Sequence, residues 1–508
     1  MKKLFLLITG IACLTSVALG GGIVTNINQS ARYVRVLALD ASTGIDAVYF
    51  NPAGLIKLDN GFHFSVNNLT ILQSKEITDN YVNLIPSPKT FKGDISAPFF
   101  PNIYAVWNTG KLAISVGFNP IGGGGSAEFS KGLPSFESRL ADLVPIMSLT
   151  LSGLDAALLQ APPNGYGFNP QFSNITGYQS DIYFKGTSVF YGYQGGLTYK
   201  INEFLGLYAG VRFVTAKNTY KGSITDVMIA AAPVEPPVPL YDVPAGNYTP
   251  GNYLRAVAGA TGLDPTTIAV LNGTANALDA QTAIEADAEE TGSGITPIIG
   301  ANISLGDKLD VGLKYEFRTA MDLTTTVHDG KDAYGMFVQD STVHSDMPAM
   351  LTVGVSYKIM PNLSAMAGVH YFFDKSANYG KSLDEAPTVP VSNDKVINNN
   401  LYEIAVGLEY NITDNFLISG GYLRTQTGVS EDFQSDLSFS LSANTVGIGA
   451  GFNLMPNLMI NVGASYSKYD EGKKNYMHTV ESIGTQIPAV ETYNKETWMF
   501  GIGVDFSL

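Results

Sequence analysis

Histidine, serine and acidic side chains could support catalysis, but in this chain they form no recognisable catalytic motif. The sequence contains five histidines. It has no Gly-x-Ser-x-Gly nucleophile motif, no His-Glu-x-x-His zinc motif and no cluster with metal-ligand spacing. The glycine run from Gly122 to Gly125 lacks the Lys-Ser/Thr pair of a phosphate-binding loop. We therefore predict that the protein is not an enzyme and that it binds no metal and no cofactor.

Charged residues recur instead at alternate positions of segments whose other positions are apolar. Between residues 308 and 318, for example, every second residue is apolar. Successive residues of a strand point to opposite faces, so such a segment has one apolar and one polar face. On the polar faces we predict that Arg212, Lys314 and Arg318 line the interior of a barrel. There they either pair with acidic neighbours or meet the carboxylate of a ligand beside an apolar pocket.

The composition favours strands in a non-aqueous environment and excludes some partners. The 508 residues carry a formal charge of −15, which repels phosphate backbones, so we expect no nucleic-acid partner. Charged residues make up 15 % of the chain, against roughly 25 % in soluble domains. Glycine (53 residues), tyrosine (27) and phenylalanine (26) are abundant. This combination is typical of β-rich membrane proteins.

The first 20 residues are predicted to be a signal peptide. Lys2 and Lys3 form its basic end, an apolar stretch follows, and Ala18-Leu19-Gly20 is a small-x-small cleavage site. The only cysteine of the chain, Cys13, lies within this segment. The remaining chain therefore has no disulfide and no thiol chemistry.

Six related short turns connect alternating segments along the rest of the chain. Each contains Asn, Asp, Gly or Pro, and aromatic residues on the apolar face flank the turns and recur at the far strand ends. Six turns separate seven hairpins, which gives fourteen strands. We predict an all-β fold over residues 61–508: a fourteen-stranded antiparallel transmembrane β-barrel, monomeric, in the lipid of a bacterial outer membrane. The turns lie at residues 107–111, 199–204, 304–308, 357–363, 410–416 and 452–458.

Residues 21–60 break the strand pattern. They contain a predicted helix within residues 28–40, and then two short elements just before the first strand: Asp46-Ala47 and Asn51-Pro52-Ala53. These elements resemble the N-terminal hatch of the FadL/TodX family, outer-membrane transporters for long-chain fatty acids and other hydrophobic compounds. The resemblance implies that a small helical hatch, residues 21–60, plugs the barrel lumen. The alternative is an ordinary turn leading into the first strand.

Two predicted extracellular loops, residues 119–181 and 222–293, are far longer than ordinary connections. The first contains an apolar, helix-compatible run between residues 140 and 159, and the second a helix start at Asp264-Pro265. The apolar side chains either pack against each other or form a groove that collects hydrophobic molecules. For the second possibility we expect capture by Leu140, Leu143, Ile146 and Leu151.

The sequence thus predicts passive uptake of a hydrophobic small molecule, such as a long-chain fatty acid, across the outer membrane. In this hypothesis the loops capture the ligand, which then passes the hatch-plugged lumen. Two other functions fit the same barrel. A general porin would keep an open polar lumen, and a surface adhesin would use the long loops for protein contacts.

Overall fold

The computed structural model describes residues 26–160, 171–232, 243–260, 263–279, 284–332, 337–383 and 386–508. The predicted signal peptide, residues 1–20, lies outside these residues. Twenty strands occur in the described chain: β1 (Gly61–Asp79), β2 (Lys89–Asn108), β3 (Leu112–Phe129), β4 (Ile175–Asn202), β5 (Leu205–Ala231), β6 (Gly246–Tyr248), β7 (Ile284–Leu305), β8 (Leu309–Glu316), β9 (Asp322–Asp332), β10 (Thr342–His344), β11 (Met350–Met360), β12 (Leu363–Phe372), β13 (Ser382–Leu383), β14 (Ala386–Pro390), β15 (Tyr402–Thr413), β16 (Phe416–Gln426), β17 (Ala443–Met455), β18 (Leu458–Tyr469), β19 (Gly472–Val480) and β20 (Thr485–Ser507).

Fourteen of these strands close an antiparallel barrel, as the sequence predicts. Closure occurs where β20 pairs with β1 on one side and with β18 on the other. The six short turns lie at one end of the barrel, together with the chain end at Leu508. The opposite end, here called the long-loop end, carries β6, β9, β10 and β19, which extend neighbouring barrel strands. The barrel strands are β1–β5, β7, β8, β11, β12, β15–β18 and β20.

The outer face of the barrel is apolar because every second strand residue points away from the lumen. On β15, for example, Ile404, Val406 and Leu408 are about half exposed, whereas the neighbouring Glu403 and Ala405 are buried. The same alternation recurs around the wall, with aromatic side chains near both ends of the band. Such a band is what lipid contact requires.

Several strands extend beyond the lipid-facing band, into the ranges 119–181 and 222–293. β4 has 28 residues and β5 has 27. In these extensions the outward positions are charged and form cross-strand ion pairs, including Lys217–Glu289 and Lys221–Asp287. The sequence prediction rests on apolar alternation, which ends where the outward residues become charged. The predicted strands are therefore too short at the long-loop end.

The N-terminal segment forms the hatch, and it consists of three short helical pieces. Helix α1 (Ala31–Val36) begins at Ser30, whose hydroxyl accepts a hydrogen bond from the Tyr33 amide. It is shorter than the helix predicted within residues 28–40, because Leu37 adopts a left-handed conformation (φ 61°) that ends it. Helix α2 (Ala47–Phe50) and a 3-10 helix (Pro52–Lys57) follow.

Four further helices form a cap over the long-loop end: α3 (Pro134–Ala141), α4 (Leu143–Gln160), α5 (Pro250–Ala258) and α6 (Pro265–Asp279). The helix start predicted at Asp264-Pro265 is confirmed: the Asp264 carboxylate accepts hydrogen bonds from the amides of Thr266 and Thr267. Residues 134–159 are long and apolar enough to cross a membrane by length and composition alone. In the fold this stretch is divided into α3 and α4, whose apolar side chains are buried in the clusters that form the core of the cap.

Candidate functional site

A buried ionic cluster fixes the hatch to the barrel wall. Arg35 on α1 is fully buried, and its Nη1 lies 2.8 Å from Glu409 Oε1 of β15. Arg32 contacts the other oxygen of the same carboxylate at 2.6 Å and also reaches Asp46 at 3.3 Å. Removing one partner of such a buried cluster leaves an unpaired charge, which is strongly destabilising. The cluster therefore resists withdrawal of α1 from the wall.

The five hatch-motif residues form the inner part of the plug. Asn51 is fully buried, and its Nδ2 donates to the Ser42 carbonyl at 3.0 Å and to Asn302 Oδ1 of β7 at 2.8 Å. The Pro52 carbonyl accepts a hydrogen bond from the Thr198 hydroxyl of β4 at 2.7 Å. All five are buried, and the other three are Asp46, Ala47 and Ala53.

Glycines on the inner wall let the hatch backbone approach the strands closely. A Cβ atom at Gly421 would lie 1.8 Å from the Val36 carbonyl oxygen, and one at Gly368 would lie 1.8 Å from the Asp40 carboxylate. Glycine is the residue that permits such an approach. Similar contacts below 3 Å occur at Gly312, Gly354, Gly407, Gly447, Gly449, Gly463 and Gly501.

His370 also joins the hatch to the wall. Its Nε2 lies 2.7 Å from Asp40 Oδ1 of the hatch, and its Nδ1 lies 2.9 Å from Glu403 Oε2 of β15. Each ring nitrogen of His370 faces a carboxylate, one on the hatch and one on the wall. His370 is therefore a structural bridge between them. Among the described residues no three His, Cys, Asp or Glu side chains converge as metal ligands.

A small, mainly apolar cavity lies between the hatch and the long-loop end of the lumen. Its volume is about 20 Å³, room for about one water. A benzene-sized ligand needs a cavity of roughly 150 Å³, so side chains must move to admit one. The lining residues are Ile27 and Tyr49 of the hatch and Ile121, Arg212, Thr296, Glu316, Thr319, Met347, Pro348, Met350 and Phe372 of the surrounding chain.

Two of the predicted interior charges meet beside this cavity. Arg212 forms a bidentate contact with Glu316, at 2.5 Å and 3.1 Å, and Lys314 Nζ lies 2.7 Å from the same carboxylate. Lys314 also donates to the Tyr49 carbonyl, and the Tyr49 ring faces both cations. These charges are therefore paired within the protein.

The prediction for Arg318 needs correction. This residue follows the end of β8 at Glu316, and its side chain is 47 % exposed. It pairs with Asp346 at 3.2 Å, outside the buried cluster of Arg212 and Lys314. The alternation that places Arg318 inside the barrel holds only while the strand continues, and the strand ends two residues earlier.

The four residues predicted to capture ligand are buried in the cap. Leu140 and Leu143 pack beside Tyr81 and Phe91, whereas Ile146 and Leu151 pack with α5 and α6. As arranged here they form a core, which is the other possibility that the sequence leaves open.

Buried acidic and phenolic groups anchor the cap to the strand extensions. The Tyr81 hydroxyl donates to Asp142 at 2.5 Å, and His478 of β19 contacts the second oxygen of that carboxylate at 2.7 Å. On β20 Glu491 is also buried, and its carboxylate accepts a hydrogen bond from Tyr493. Burial first, and then the charge of Asp436, raise the pKa of Glu491 to about 8.

The wall is incomplete between β2 and β3. These strands pair at Ser96–Ser126 and again at Ile103–Phe118, but residues 97–102 and 119–125 between these points have no cross-strand partner in this ladder. Pro98, Pro101 and Pro120 lack a backbone N–H, and the glycines at 122–125 favour bulges. The sequence contains this signal, but its meaning depends on which strands are neighbours.

The hatch occupies the inner side of this gap. Its Asn26 amide donates to the Ile121 carbonyl at 2.8 Å, and the Gln29 side chain donates to the Pro120 carbonyl at 3.0 Å. The carbonyl groups of Pro120 and Ile121, which have no partner residue on β2, thus accept hydrogen bonds from the hatch. On the outer face, an open groove of about 620 Å³ adjoins the gap and is lined in part by Leu72, Trp498, Ser96 and Ser126.

Comparisons with known proteins give one consistent result. A family model described as outer membrane protein transport protein (OMPP1/FadL/TodX) matches residues 166–508. The crystal structure of a Pseudomonas aeruginosa FadL homologue is similar with a TM-score of 0.56 and 13 % identity, over 96 % of this chain and 99 % of that one. The Pseudomonas putida toluene transporter TodX gives a TM-score of 0.50 and 12 % identity over the same shares. A search of curated protein sequences gives no match.

At such identities the solved structures show a shared fold alone, whereas the family model spans more than half of the chain. The closed fourteen-stranded barrel with its N-terminal helical region agrees with that match. The chain therefore belongs to the FadL/TodX family of outer-membrane transport proteins.

Proposed function

We propose that this protein takes up hydrophobic small molecules by passive transport through the outer membrane, acting as a monomer. The long-loop end faces the cell exterior, and the ligand enters beneath the cap. It then occupies the apolar cavity beside the hatch and leaves through the gap between β2 and β3 into the lipid. Long-chain fatty acids are one such class, and the Pseudomonas putida protein TodX, which shares this fold, is a toluene transporter.

One observation carries this proposal: the apolar cavity and the wall gap share a residue. Ile121 lines the cavity, and it belongs to the part of β3 that has no partner on β2. A molecule in the cavity is therefore next to the one long interruption of the β2–β3 ladder. An apolar ligand that leaves sideways enters lipid directly and avoids the polar short-turn end of the lumen.

No comparable observation supports the two other functions, general porin and surface adhesin. A general porin needs a water-filled lumen, but here buried side chains of the hatch contact the described strands around the wall. A surface adhesin needs neither the cavity nor a gap at the same height. The buried capture residues of the cap imply that entry requires movement of α3 or α4.

The experiment joins β2 and β3 across the gap. Asn119 Nδ2 donates to Asn102 Oδ1 at 3.0 Å, so these two lumen-facing side chains already meet across it. We would replace both with cysteine and connect them with a short, reducible bifunctional thiol reagent. Uptake of radiolabelled toluene and decanol by cells carrying the protein should fall after cross-linking and recover on reduction.

A matched control uses the same strands below the gap. Val106 and Ser115 are paired neighbours that also face the lumen. Cross-linking cysteines at these positions should leave uptake unchanged. Undiminished uptake by the protein cross-linked between positions 102 and 119 would rule out exit through this gap. Cells that take up the probes equally well without the protein would contradict the transport function itself.

A further inference from the structure

The charge pair beside the cavity bears on which hydrophobic molecules can bind, an inference that rests on the proposed uptake function. Arg212 and Glu316 both line the cavity, and both are almost fully buried. The remaining lining residues are uncharged. The cavity lining therefore contains one positive and one negative group, and these form an ion pair with each other.

Arg212 has little capacity left for a ligand. A guanidinium has five N–H donors, and four hydrogen bonds are made by this one. Two go to Gln194 Oε1, at 3.2 Å and 2.7 Å, and two go to Glu316, at 2.5 Å and 3.1 Å. A ligand carboxylate could reach Arg212 in the same bidentate way only by displacing Glu316.

Lys314 does not offer an alternative anion site. Its Nζ points to Glu316 and to the Tyr49 carbonyl, and it lies 4.7 Å from the centre of the Tyr49 ring. It is 2 % exposed and does not line the cavity. An incoming anion would therefore meet the Glu316 carboxylate without a free cation, in a site from which water is largely excluded.

We infer that Glu316 occupies, as part of the protein, the place on Arg212 that a ligand carboxylate would take, and thereby makes the cavity selective for uncharged hydrophobic molecules. Alcohols, alkanes and simple aromatic hydrocarbons carry no charge that would oppose Glu316, whereas ionised fatty acids are rejected. Juxtaposing like charges in a desolvated site is unfavourable, and we expect at least about a tenfold difference in affinity, which corresponds to about 1.4 kcal/mol.

The test compares two probes that share one carbon skeleton: decanol, which is neutral, and decanoate, which is anionic at pH 8. Binding of each to the purified full chain is measured by calorimetry in lipid nanodiscs. The native protein should bind decanol at least about tenfold more tightly than decanoate. Glu316→Gln should reverse this preference, because Arg212 is then free to donate hydrogen bonds to the decanoate carboxylate.

A matched control and a second variant separate this effect from general disturbance. Glu290→Gln changes another buried carboxylate, which accepts hydrogen bonds from Asn218 and Tyr220 and does not line the cavity. It should leave the ratio of the two affinities unchanged. The double variant Arg212→Gln/Glu316→Gln removes both charges and should lose the gain in decanoate binding while still binding decanol.

The outcomes distinguish this inference from the proposed function. If the native protein binds decanoate as tightly as decanol, the selectivity is refuted and uptake of hydrophobic molecules stands. A folded Glu316→Gln variant without increased decanoate binding would refute the role of Glu316 in the same way. If neither probe binds to the native protein or to any variant, the cavity is not a ligand site and both proposals fail. The comparison within the native protein needs no variant to fold.

Discussion

Single side chains carry the connection between the hatch and the wall. Asn51 bridges a hatch carbonyl and Asn302, and His370 bridges Asp40 and Glu403. The contacts to Asn302, Asp40 and Glu403 join residues more than 30 positions apart, and all of these contacts use buried polar groups that water cannot reach. Buried polar groups without partners are costly, so the bridges favour one position of the hatch.

Glu491 of β20 gives a pH-dependent prediction for the cap, because it interacts with the charge of Asp436, which accepts a hydrogen bond from the Ser135 amide of α3. The pKa of Glu491 is raised from 4.5 to about 8, so between these values the folded cap retains a proton that the opened cap releases. Stability of the cap therefore falls as pH rises through this window, with the opening equilibrium changing by up to about tenfold per pH unit. Glu491→Gln should abolish this loss, because glutamine stays neutral.

The measurement is native-state hydrogen exchange of α3 and of the end of β1 at Asp79, which pairs with Glu491. Native protein and variant are compared at pH 5 and at pH 8.5. The two should be protected similarly at pH 5, and the variant should be better protected at pH 8.5. Glu203→Gln, in an exposed short turn, is the control and should behave like the native protein. Equal protection of native protein and Glu491→Gln at pH 8.5 would contradict the assignment.

At the scale of elements, assembly of the strands into a barrel depends on which residues face the lipid and which face the lumen. Leu313 is 45 % exposed on the outer wall, whereas the adjacent Lys314 is buried in the lumen. Arginine on the lipid face near the bilayer midplane costs about 2–4 kcal/mol. Leu313→Arg should therefore impair barrel assembly in the outer membrane far more than Lys314→Gln, as measured by heat-modifiable migration on gels. Equal assembly of both variants would argue against lipid contact at Leu313.

Two adjacent glycines of β16 test how the hatch is seated. A Cβ at Gly421 would collide with the Val36 carbonyl, whereas at Gly420 the nearest atom would be 3.5 Å away. Gly421→Ala should displace α1 and produce steady ion conductance in planar bilayers, and Gly420→Ala should remain closed. Heat-modifiable migration verifies that both barrels assemble. A closed Gly421→Ala channel would show that the hatch does not depend on this close approach.

The strands and the plug follow from the sequence to different extents. Alternation is a property of neighbouring residues, so the fourteen strands and their closure are predictable. Glycines such as Gly407 and Gly421 also recur on the lumen face in the sequence, but their role becomes visible only when a second backbone lies against them. The hatch motif predicts that a plug exists, whereas its contacts depend on partners such as Asn302, which is 251 residues from Asn51.

At the scale of the whole molecule, what the sequence leaves open concerns contacts between distant segments. The apolar run of the first long loop predicts a helix, and α4 is that helix, but its neighbours α5 and α6 come from the second long loop. The residues Leu151 and Ile146 are consequently buried. The gap between β2 and β3 likewise depends on the register of two strands, although Pro98 and Pro120 are visible in the sequence.

The assembled molecule gives the last prediction, which concerns the lumen as a whole. Because the hatch fills the barrel interior, the intact protein in planar bilayers should show little steady ion conductance. Deleting residues 26–58 should expose an inner wall of glycines and polar side chains that water can fill, and large constant currents should appear. Heat-modifiable migration of the shortened protein would establish that its barrel assembles.

A chain with cysteines at Asn51 and Asn302, whose side chains are in contact, provides the matched comparison with an intact plug. Joined by a short reducible reagent, these cysteines hold the hatch against β7, and the protein should stay closed under applied voltage. Ion flow needs a continuous water path along the barrel axis, whereas the proposed ligand exit is lateral and lies beside Ile121. Porin-like currents from the intact chain, unchanged by the deletion, would instead favour a general porin.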